Sequence, residues 1–210
     1  MQFEFNNVFN VELDLEKALS TAVELFNSGK IFIYPTDTIY GIGGNPFDEN
    51  VIKRIAEVKG RDDKKQFIWL LSDFENLMNY VDIIFESHIE FLQQIWPAPV
   101  SVILNLNERT STITNQETVA VRIPKNDFCL KLLKEISRPL SSTSVNKSGH
   151  AAINHIGEIV ENFSSDVDAI FYNSEITQNK SSTIIDLTSE KPILVREGDV
   201  KFVDLLRYFS

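Results

Sequence analysis

The sequence predicts an α/β or mixed α+β domain. Short runs rich in branched residues alternate with segments whose apolar residues recur at helical spacing, and this alternation is typical of helices packed against a sheet. Of the 210 residues, 43% are hydrophobic, which excludes intrinsic disorder and supplies a core. No linker-like or low-complexity stretch interrupts the chain, so we expect a single domain over residues 1–210.

Caps and periodicity place the elements of the first half. Asp14 is expected to begin a helix that ends at Gly29, and Asp48 a helix that ends at Gly60. Short apolar runs predict buried strands, and a polar, glycine-rich stretch predicts a loop or tight turn. The strands are predicted at residues 30–34 and 66–71, the loop at 35–44, and two further helices at 72–80 and 89–95.

Strands dominate the second half, where the runs are short, rich in branched residues and bounded by turn-forming residues. The predicted strands cover residues 100–106, 119–123, 140–145, 169–172, 183–187 and 193–195. Helices are predicted between them at residues 126–136, 155–163 and 203–208.

Charge and targeting signals limit the classes of partner. Twenty Lys and Arg against thirty Asp and Glu give a net charge of −10, which repels nucleic acid at long range, so an anionic ligand would need local cations. No apolar run approaches the roughly 20 residues that cross a bilayer, and the first residues lack a signal-peptide pattern. We therefore expect a cytoplasmic protein with no membrane association.

Four segments place hydroxyl, amide or cationic side chains at the ends of predicted elements, where ligand sites of α/β proteins form. They are residues 35–44 with Thr36, Asp37 and Thr38, the run Lys59-Gly60-Arg61, residues 141–149 with Ser144 and Asn146, and Ser181-Ser182-Thr183 together with Arg196-Glu197-Gly198. Considered alone, each segment is explained at least as well by an ordinary turn or a helix end.

The functional interpretation of the run Lys59-Gly60-Arg61 is binding of a polyphosphate, and that of residues 141–149 is a pair of polar side chains that face a cleft. A Lys and an Arg two residues apart can hold different phosphate oxygens. Ser144 and Asn146 alternate along an extended segment, so both can face a cleft while Val145 faces the core.

Other chemistries lack their motifs. His88, His150 and His155 show no metal-ligand spacing, so a metal site built from the protein alone is not expected. Cys129 is the only cysteine, and its place on an apolar helix face predicts a packed side chain, not a reactive one. There is no P-loop, dinucleotide fingerprint or nucleophile elbow.

Taken together, the motifs resemble the YrdC-like family of threonylcarbamoyl-AMP synthases. The matching strings, in order, are YPTDTIYGIGG, KGR, WPAPVSVIL, VAVRIP, SSTSVNKSG, SSTIIDLT and ILVREG, from residue 34 to residue 198. The resemblance implies a twisted mixed parallel and antiparallel sheet with flanking helices around a deep electropositive cleft. It also implies that L-threonine, bicarbonate or CO2, and ATP give threonylcarbamoyl-AMP and pyrophosphate, with Mg²⁺ as cofactor on the ATP phosphates.

The resemblance assigns roles and partners as well. The family's Lys-x-Arg and Ser-x-Asn tetrad, implied to be catalytic and ATP-binding, falls on Lys59, Arg61, Ser144 and Asn146. Ser182 and Arg196 are also implied to contact ATP, and Thr36, Thr38 and Arg122 to bind threonine. The implied product passes to a separate transferase complex that modifies the adenosine beside the anticodon of certain tRNAs.

Two alternatives stay open at this point. The family usually has proline at the positions of Asp62, Gln66 and Thr143, and the altered loop at Asp62 and Gln66 motivates one alternative, a paralogue of the same fold with a different carbamoyl or acyl substrate. The second alternative is an RNA-binding module with weak tRNA binding, although the net charge argues against an extended nucleic-acid footprint.

Overall fold

The computed structural model describes residues 7–60, 67–173 and 180–209. Within these ranges the sheet strands are β1 (Val8–Asn10), β2 (Phe32–Tyr34), β3 (Gly41–Gly43), β4 (Ile68–Leu70), β5 (Val100–Asn105), β6 (Thr118–Arg122), β7 (Leu140–Ser144), β8 (Ala169–Tyr172), β9 (Thr183–Asp186) and β10 (Ile193–Arg196). The helices are α1 (Leu15–Asn27), α2 (Glu49–Lys59), α3 (Phe74–Leu77), α4 (Glu86–Ile95), α5 (Glu108–Thr114), α6 (Asp127–Ile136), α7 (Ile156–Phe163) and α8 (Phe202–Leu205), the last followed by a 3-10 turn.

The described strands form one mixed sheet in the order β1-β8-β2-β3-β7-β4-β6-β5-β9-β10. Parallel pairs join β1 to β8, β8 to β2, β4 to β6 and β5 to β9. The other neighbours are antiparallel. This arrangement confirms the predicted α/β class with a mixed sheet and flanking helices.

Alternation along β2 shows how the helices cover both faces of the sheet. Phe32 and Tyr34 pack into a cluster with α1 and α6, whereas Ile33 packs into a cluster with α2 and α7. Successive side chains of a strand point to opposite faces, so a strand buried on both sides is apolar throughout. A third cluster gathers α4 and strands β5, β6 and β9 in the other half of the sheet.

The predicted helix ends are confirmed by their caps. The Asp14 carboxylate accepts from Lys17 N at the start of α1, and the Asp48 carboxylate accepts from Asn50 N at the start of α2. Gly60 ends α2 in the left-handed conformation, with φ of 59°. Such caps fix the position at which each helix begins or ends. The last residue of α2 is Lys59, directly before the Gly60 cap.

Three elements differ from the sequence prediction. Residues 35–44 were predicted as a loop, but Gly41–Gly43 form the central strand β3, paired with β2 and β7. The prediction was wrong because glycine has a low strand propensity, whereas here a Cβ on Gly43 would lie 1.8 Å from Ser141 O. Strand β1 and helix α5 had no predicted counterpart. The start of the strand predicted at 66–71 lies outside the described residues.

Candidate functional site

A pocket of about 400 Å³ collects most of the predicted site residues. Its described walls come from the segment after β2, from the ends of β6 and β7, and from the region of β9 and β10. Seven of the nine predicted site residues lie in these walls: Thr36, Thr38, Arg122, Ser144, Asn146, Ser182 and Arg196. We call Thr36, Thr38 and Arg122 the inner wall, Ser144 and Asn146 the central strip, and Ser182 and Arg196 the edge wall.

The two threonines of the inner wall, Thr36 and Thr38, are hydrogen-bonded to each other. Their hydroxyl oxygens are 3.0 Å apart, and Thr36 Oγ1 donates to Ile39 O at 2.7 Å. Thr38 N donates to Thr36 Oγ1 at 3.0 Å. A hydroxyl that bonds the backbone two or three residues away shapes a tight turn, so these threonines fix the segment that follows β2.

Arg122 completes the inner wall at the end of β6. Its Nη1 donates to Thr38 Oγ1 at 3.0 Å, and its Nη2 forms an ion pair with Asp37 Oδ1. The side chains of Arg122 and Asp37 are only 5% and 8% exposed. The sequence analysis named Asp37 only as a member of the segment 35–44, and missed this pairing because the two positions are 85 residues apart.

Tyr34, Ser141 and Cys129 are buried, uncharged residues behind the inner wall. Tyr34 hydroxyl donates to Ser141 O at 3.1 Å, and Cys129 Sγ donates to Pro35 O at 3.1 Å. Burial raises the pKa of the Cys129 thiol well above its ordinary value, and the nearby Asp37 carboxylate adds to this. Cys129 is fully buried, which confirms the prediction of a packed side chain.

Lys59 organises the central strip from behind. It is 3% exposed, and its ammonium donates to Ser144 O, to Asn146 O at 3.0 Å and to Asn146 Oδ1 at 2.9 Å. Ser144 Oγ donates to the same Asn146 oxygen at 2.5 Å, and Asn146 Nδ2 donates to His150 O at 2.8 Å. The predicted group of Lys59, Ser144 and Asn146 therefore lies together, with Val145 buried in the core as expected.

The edge wall contains one buried and one half-exposed residue. Ser182 is 3% exposed, and its Oγ lies 2.9 Å from the hydroxyl of buried Ser101. Arg196 Nη2 donates to Ser182 O at 2.9 Å, and partial burial lowers the pKa of this guanidinium. Gly198 allows the backbone after β10 to lie against Ser181, since a Cβ there would lie 2.2 Å from Ser181 O.

The described pocket walls are free of Asp and Glu, in a chain with a net charge of −10. They contain two arginines, one histidine and several hydroxyl groups. Such a surface fits an anion with many acceptor oxygens better than a cation. Arg61, Asp62 and Gln66 lie outside the described residues, so the predicted position of Arg61 beside Lys59 stays a prediction.

The sequence analysis assigned no site role to several other residues that line the pocket. Ser142 and Thr143 line the central part of the pocket, with Ile68 and Ile184 nearby as apolar surface. His150 lines the pocket as well, at an exposed position. The serine-rich run was the one available signal, because it pointed to this strand end without indicating which hydroxyls face a ligand.

The mixed sheet and this hydroxyl- and arginine-lined pocket define an α/β protein whose pocket is suited to a small anionic molecule. The chain belongs to the Sua5/YciO/YrdC family: the family model, which carries the description "Telomere recombination", matches residues 24–198. Membership confirms the resemblance of the motifs.

Two curated relatives and one solved structure show the extent of the similarity. The threonylcarbamoyl-AMP synthase of Pyrococcus abyssi is 31% identical over 201 residues, covering 94% of this chain and 59% of the relative. The threonylcarbamoyl-AMP synthase of Vibrio vulnificus (strain YJ016) is 30% identical over 185 residues, covering 86% of this chain and 98% of the relative. The crystal structure of P. abyssi Sua5 complexed with L-threonine has a TM-score of 0.86 at 32% identity, covering 96% of this chain and 60% of that one.

The chain thus spans about three fifths of the length of the P. abyssi protein and nearly all of the Vibrio one. Among the helices of the described residues, we find none with the length and apolar character needed to cross a membrane.

Proposed function

We propose that this chain is an L-threonylcarbamoyladenylate synthase. It joins L-threonine, bicarbonate or CO2, and ATP to give threonylcarbamoyl-AMP and pyrophosphate. The observation that carries the proposal is the convergence on one pocket of residues 36, 38, 122, 144, 146, 182 and 196, which are distant in the sequence. The names of the two curated relatives and the threonine complex of P. abyssi Sua5 support the same reaction.

The inner wall is the proposed threonine site. A guanidinium suits a carboxylate because it presents several donors in a plane, and Arg122 is the arginine of this wall. Thr36 and Thr38 lie next to it, and their mutual hydrogen bonds fix where their hydroxyls lie. We therefore assign Arg122 to the α-carboxylate and the two threonines to the polar atoms around it.

The central strip and the edge wall are the proposed ATP site. Ser144 and Asn146 orient the phosphate and ribose region, and Arg196 binds the outer phosphates with Ser182 beside it. Lys59 is assigned to the strip through the hydrogen bonds that hold Ser144 and Asn146, and Arg61 to the phosphates by its place in the Lys-x-Arg motif.

The chemistry needs charge stabilisation more than an enzyme nucleophile. The neutral threonine amine adds to CO2 and loses a proton to solvent, which gives a carbamate, and a carbamate oxygen then attacks the α-phosphorus of ATP as the bond to pyrophosphate breaks. Carbamate and ATP are both anions that repel each other. Walls with arginines and no described carboxylate lower that repulsion and hold the reactants in line.

Mg²⁺ is the proposed cofactor and would enter with ATP. Among the described residues there is no group of three or more His, Cys, Asp and Glu side chains able to hold a metal, while the pocket offers several hydroxyl oxygens. This donor set fits an ion that keeps most of its ligands from ATP and water. When bound, the ion neutralises charge on the departing pyrophosphate.

The direct test is incubation of the purified chain with ATP, Mg²⁺, bicarbonate and L-threonine, followed by mass detection of the adenylate. We expect threonylcarbamoyl-AMP and pyrophosphate in equal amounts, and neither without threonine. A parallel reaction with L-serine tests specificity. Pyrophosphate formed equally well without threonine would contradict the proposal and favour a paralogue with another acyl or carbamoyl substrate.

The proposed product serves a downstream tRNA threonylcarbamoyl transferase complex, so the chain itself need not hold tRNA. A gel-shift titration with tRNA at low and physiological salt tests this separation. We expect at most weak, salt-sensitive binding because of the net charge of −10. Tight binding that persists in salt, together with absent adenylate formation, would instead favour an RNA-binding module.

A further inference from the structure

Asp37 and Arg122 form a buried ion pair at the inner wall, with side chains 8% and 5% exposed. Removing two charges from water costs free energy that their attraction seldom exceeds, so a buried ion pair is poorly explained as a stabilising contact. Arg122 lines the pocket, whereas Asp37 lies behind it. Both facts favour a role in binding over a role in folding.

The pair retains unused hydrogen-bonding capacity. Among the described residues, three buried side-chain polar atoms have no hydrogen-bond partner, and two of them are Asp37 Oδ2 and Arg122 Nε. An unsatisfied buried polar atom is costly, and native structures usually avoid it. The Nε atom is itself buried, but the residue to which it belongs lines the pocket, and a carboxylate is the acceptor that suits a guanidinium donor.

The surroundings leave Asp37 as the principal anchor of Arg122. The other hydrogen bond of the guanidinium goes to Thr38 Oγ1, a single neutral oxygen. The neighbouring Cys129 has a raised pKa from burial and stays a neutral thiol. Without Asp37, the side-chain hydrogen bond to Thr38 is the one that the described residues leave to the guanidinium, and a flexible arginine must be ordered again when each ligand binds.

We propose that Asp37 is a positioning residue for the amino-acid substrate: it fixes the Arg122 guanidinium against Thr38 in the orientation that receives an α-carboxylate. The inference deepens the proposed function and rests on it. Asp37 contributes through Arg122 and needs no contact with substrate, and it is not assigned to proton transfer.

The test compares Asp37→Asn and Asp37→Ala with the matched control Asp168→Asn. Asp168 also pairs with an arginine, Arg54, and accepts from Ile31 N, but it is not among the pocket-lining residues. For each variant the threonine Kd is measured by calorimetry, the ATP and threonine KM values by pyrophosphate release, and folding by circular dichroism and thermal melting.

We expect Asp37→Ala to weaken threonine binding by up to about ten-fold, the cost of ordering one flexible side chain again when the ligand binds. Asp37→Asn, which retains an acceptor oxygen, should lose less. The ATP KM should change by less than about two-fold in both variants, and Asp168→Asn should leave both substrates unaffected even where it lowers the melting temperature.

Equal changes in the ATP and threonine KM values would overturn the positioning role and indicate general distortion. A folded Asp37→Asn and a folded Asp37→Ala that both bind threonine like the wild type would overturn it too. If the wild-type chain binds no threonine and forms no adenylate, the proposed function fails first and the inference falls with it. Should Asp37→Ala not fold, the Asp37→Asn variant decides alone.

Discussion

The inner wall and the edge wall of the pocket are built in different ways. The inner wall lies at β6 and the β2–β3 connection, inside the sheet, and its arginine is buried and bonded on two sides. The edge wall ends in β10, the outermost strand, whose four residues are all exposed. A surface held from several directions resists change in shape, whereas an edge strand can yield.

This difference suits two kinds of ligand. A small amino acid is distinguished from its analogues by a few fixed contacts, so its site gains from rigidity. Phosphate groups are held through charge that acts over a longer range and tolerates small displacements. We therefore expect substitutions at the inner wall to affect both fold and specificity, and substitutions at the edge wall to affect mainly affinity.

The largest expected difference in stability is the one between the Arg122→Ala and Arg196→Ala variants. Arg122→Ala leaves the Asp37 carboxylate buried and unpaired, so we expect a loss of about 3 to 5 kcal/mol in the free energy of unfolding. Arg196→Ala removes a half-exposed side chain and should cost less than about 1 kcal/mol. Urea denaturation at neutral pH measures both. Similar losses would contradict the proposed difference, and an Arg122→Ala/Asp37→Ala double variant should recover part of the first loss.

Substitutions of Gly43 and Gly198 test whether the backbone is also more rigid in the interior of the sheet than at its edge. Gly43→Ala places a Cβ 1.8 Å from Ser141 O in a strand held by neighbours on both sides, and we expect it to cost about 3 kcal/mol or more. Gly198→Ala meets Ser181 O at 2.2 Å beside the edge strand, which can shift, so about 1 to 2 kcal/mol is expected. Chemical denaturation measures the free energy of unfolding of both variants. If Gly198→Ala lowers it as much as Gly43→Ala does, the edge of the sheet is as rigid as its interior.

The smallest effect concerns the buried part of the edge wall. Ser101→Ala removes the hydroxyl 2.9 Å from Ser182 Oγ, and one lost hydrogen bond should cost about 1 kcal/mol of unfolding free energy. Ser182 lines the proposed ATP site, so we also expect the ATP KM to rise a few-fold, which is roughly the effect of losing one hydrogen bond worth about 1 kcal/mol. The threonine KM should stay constant. Ser20→Ala, at an exposed helix position, is the matched control. A change confined to the threonine KM would reverse the assignment of the two walls.

Much of this architecture was predictable because its signals are local. Asp14 and Asp48 cap their helices as their residue type favours, and the alternation in β2 matches a strand buried on both faces. The members of the candidate site were found through motif strings and lie in one pocket, apart from Lys59, which lies behind it, and Arg61, which stays a prediction.

What escaped prediction depends on tertiary contacts. Strand β3 forms because β2 and β7 can approach closely a segment whose glycines have no side chain. Local strand propensity does not indicate such a contact between distant segments. Helix α5 is rich in threonine and forms with Asn107 as its cap and Asn115 in the left-handed conformation at its end. The pairing of Asp37 with Arg122 joins two distant segments, and nothing in either segment indicates the other.

The burial of Cys129 has a practical consequence for experiments on this chain. The sequence contains one cysteine, and its thiol is buried in the core. Thiol-directed dyes should therefore not react with the native protein. A cysteine introduced at the pocket rim, for example at Ala152, would then carry a fluorophore or spin label without any need to replace the natural one. Ligand arrival could be followed in real time by a single reporter on an otherwise unaltered protein.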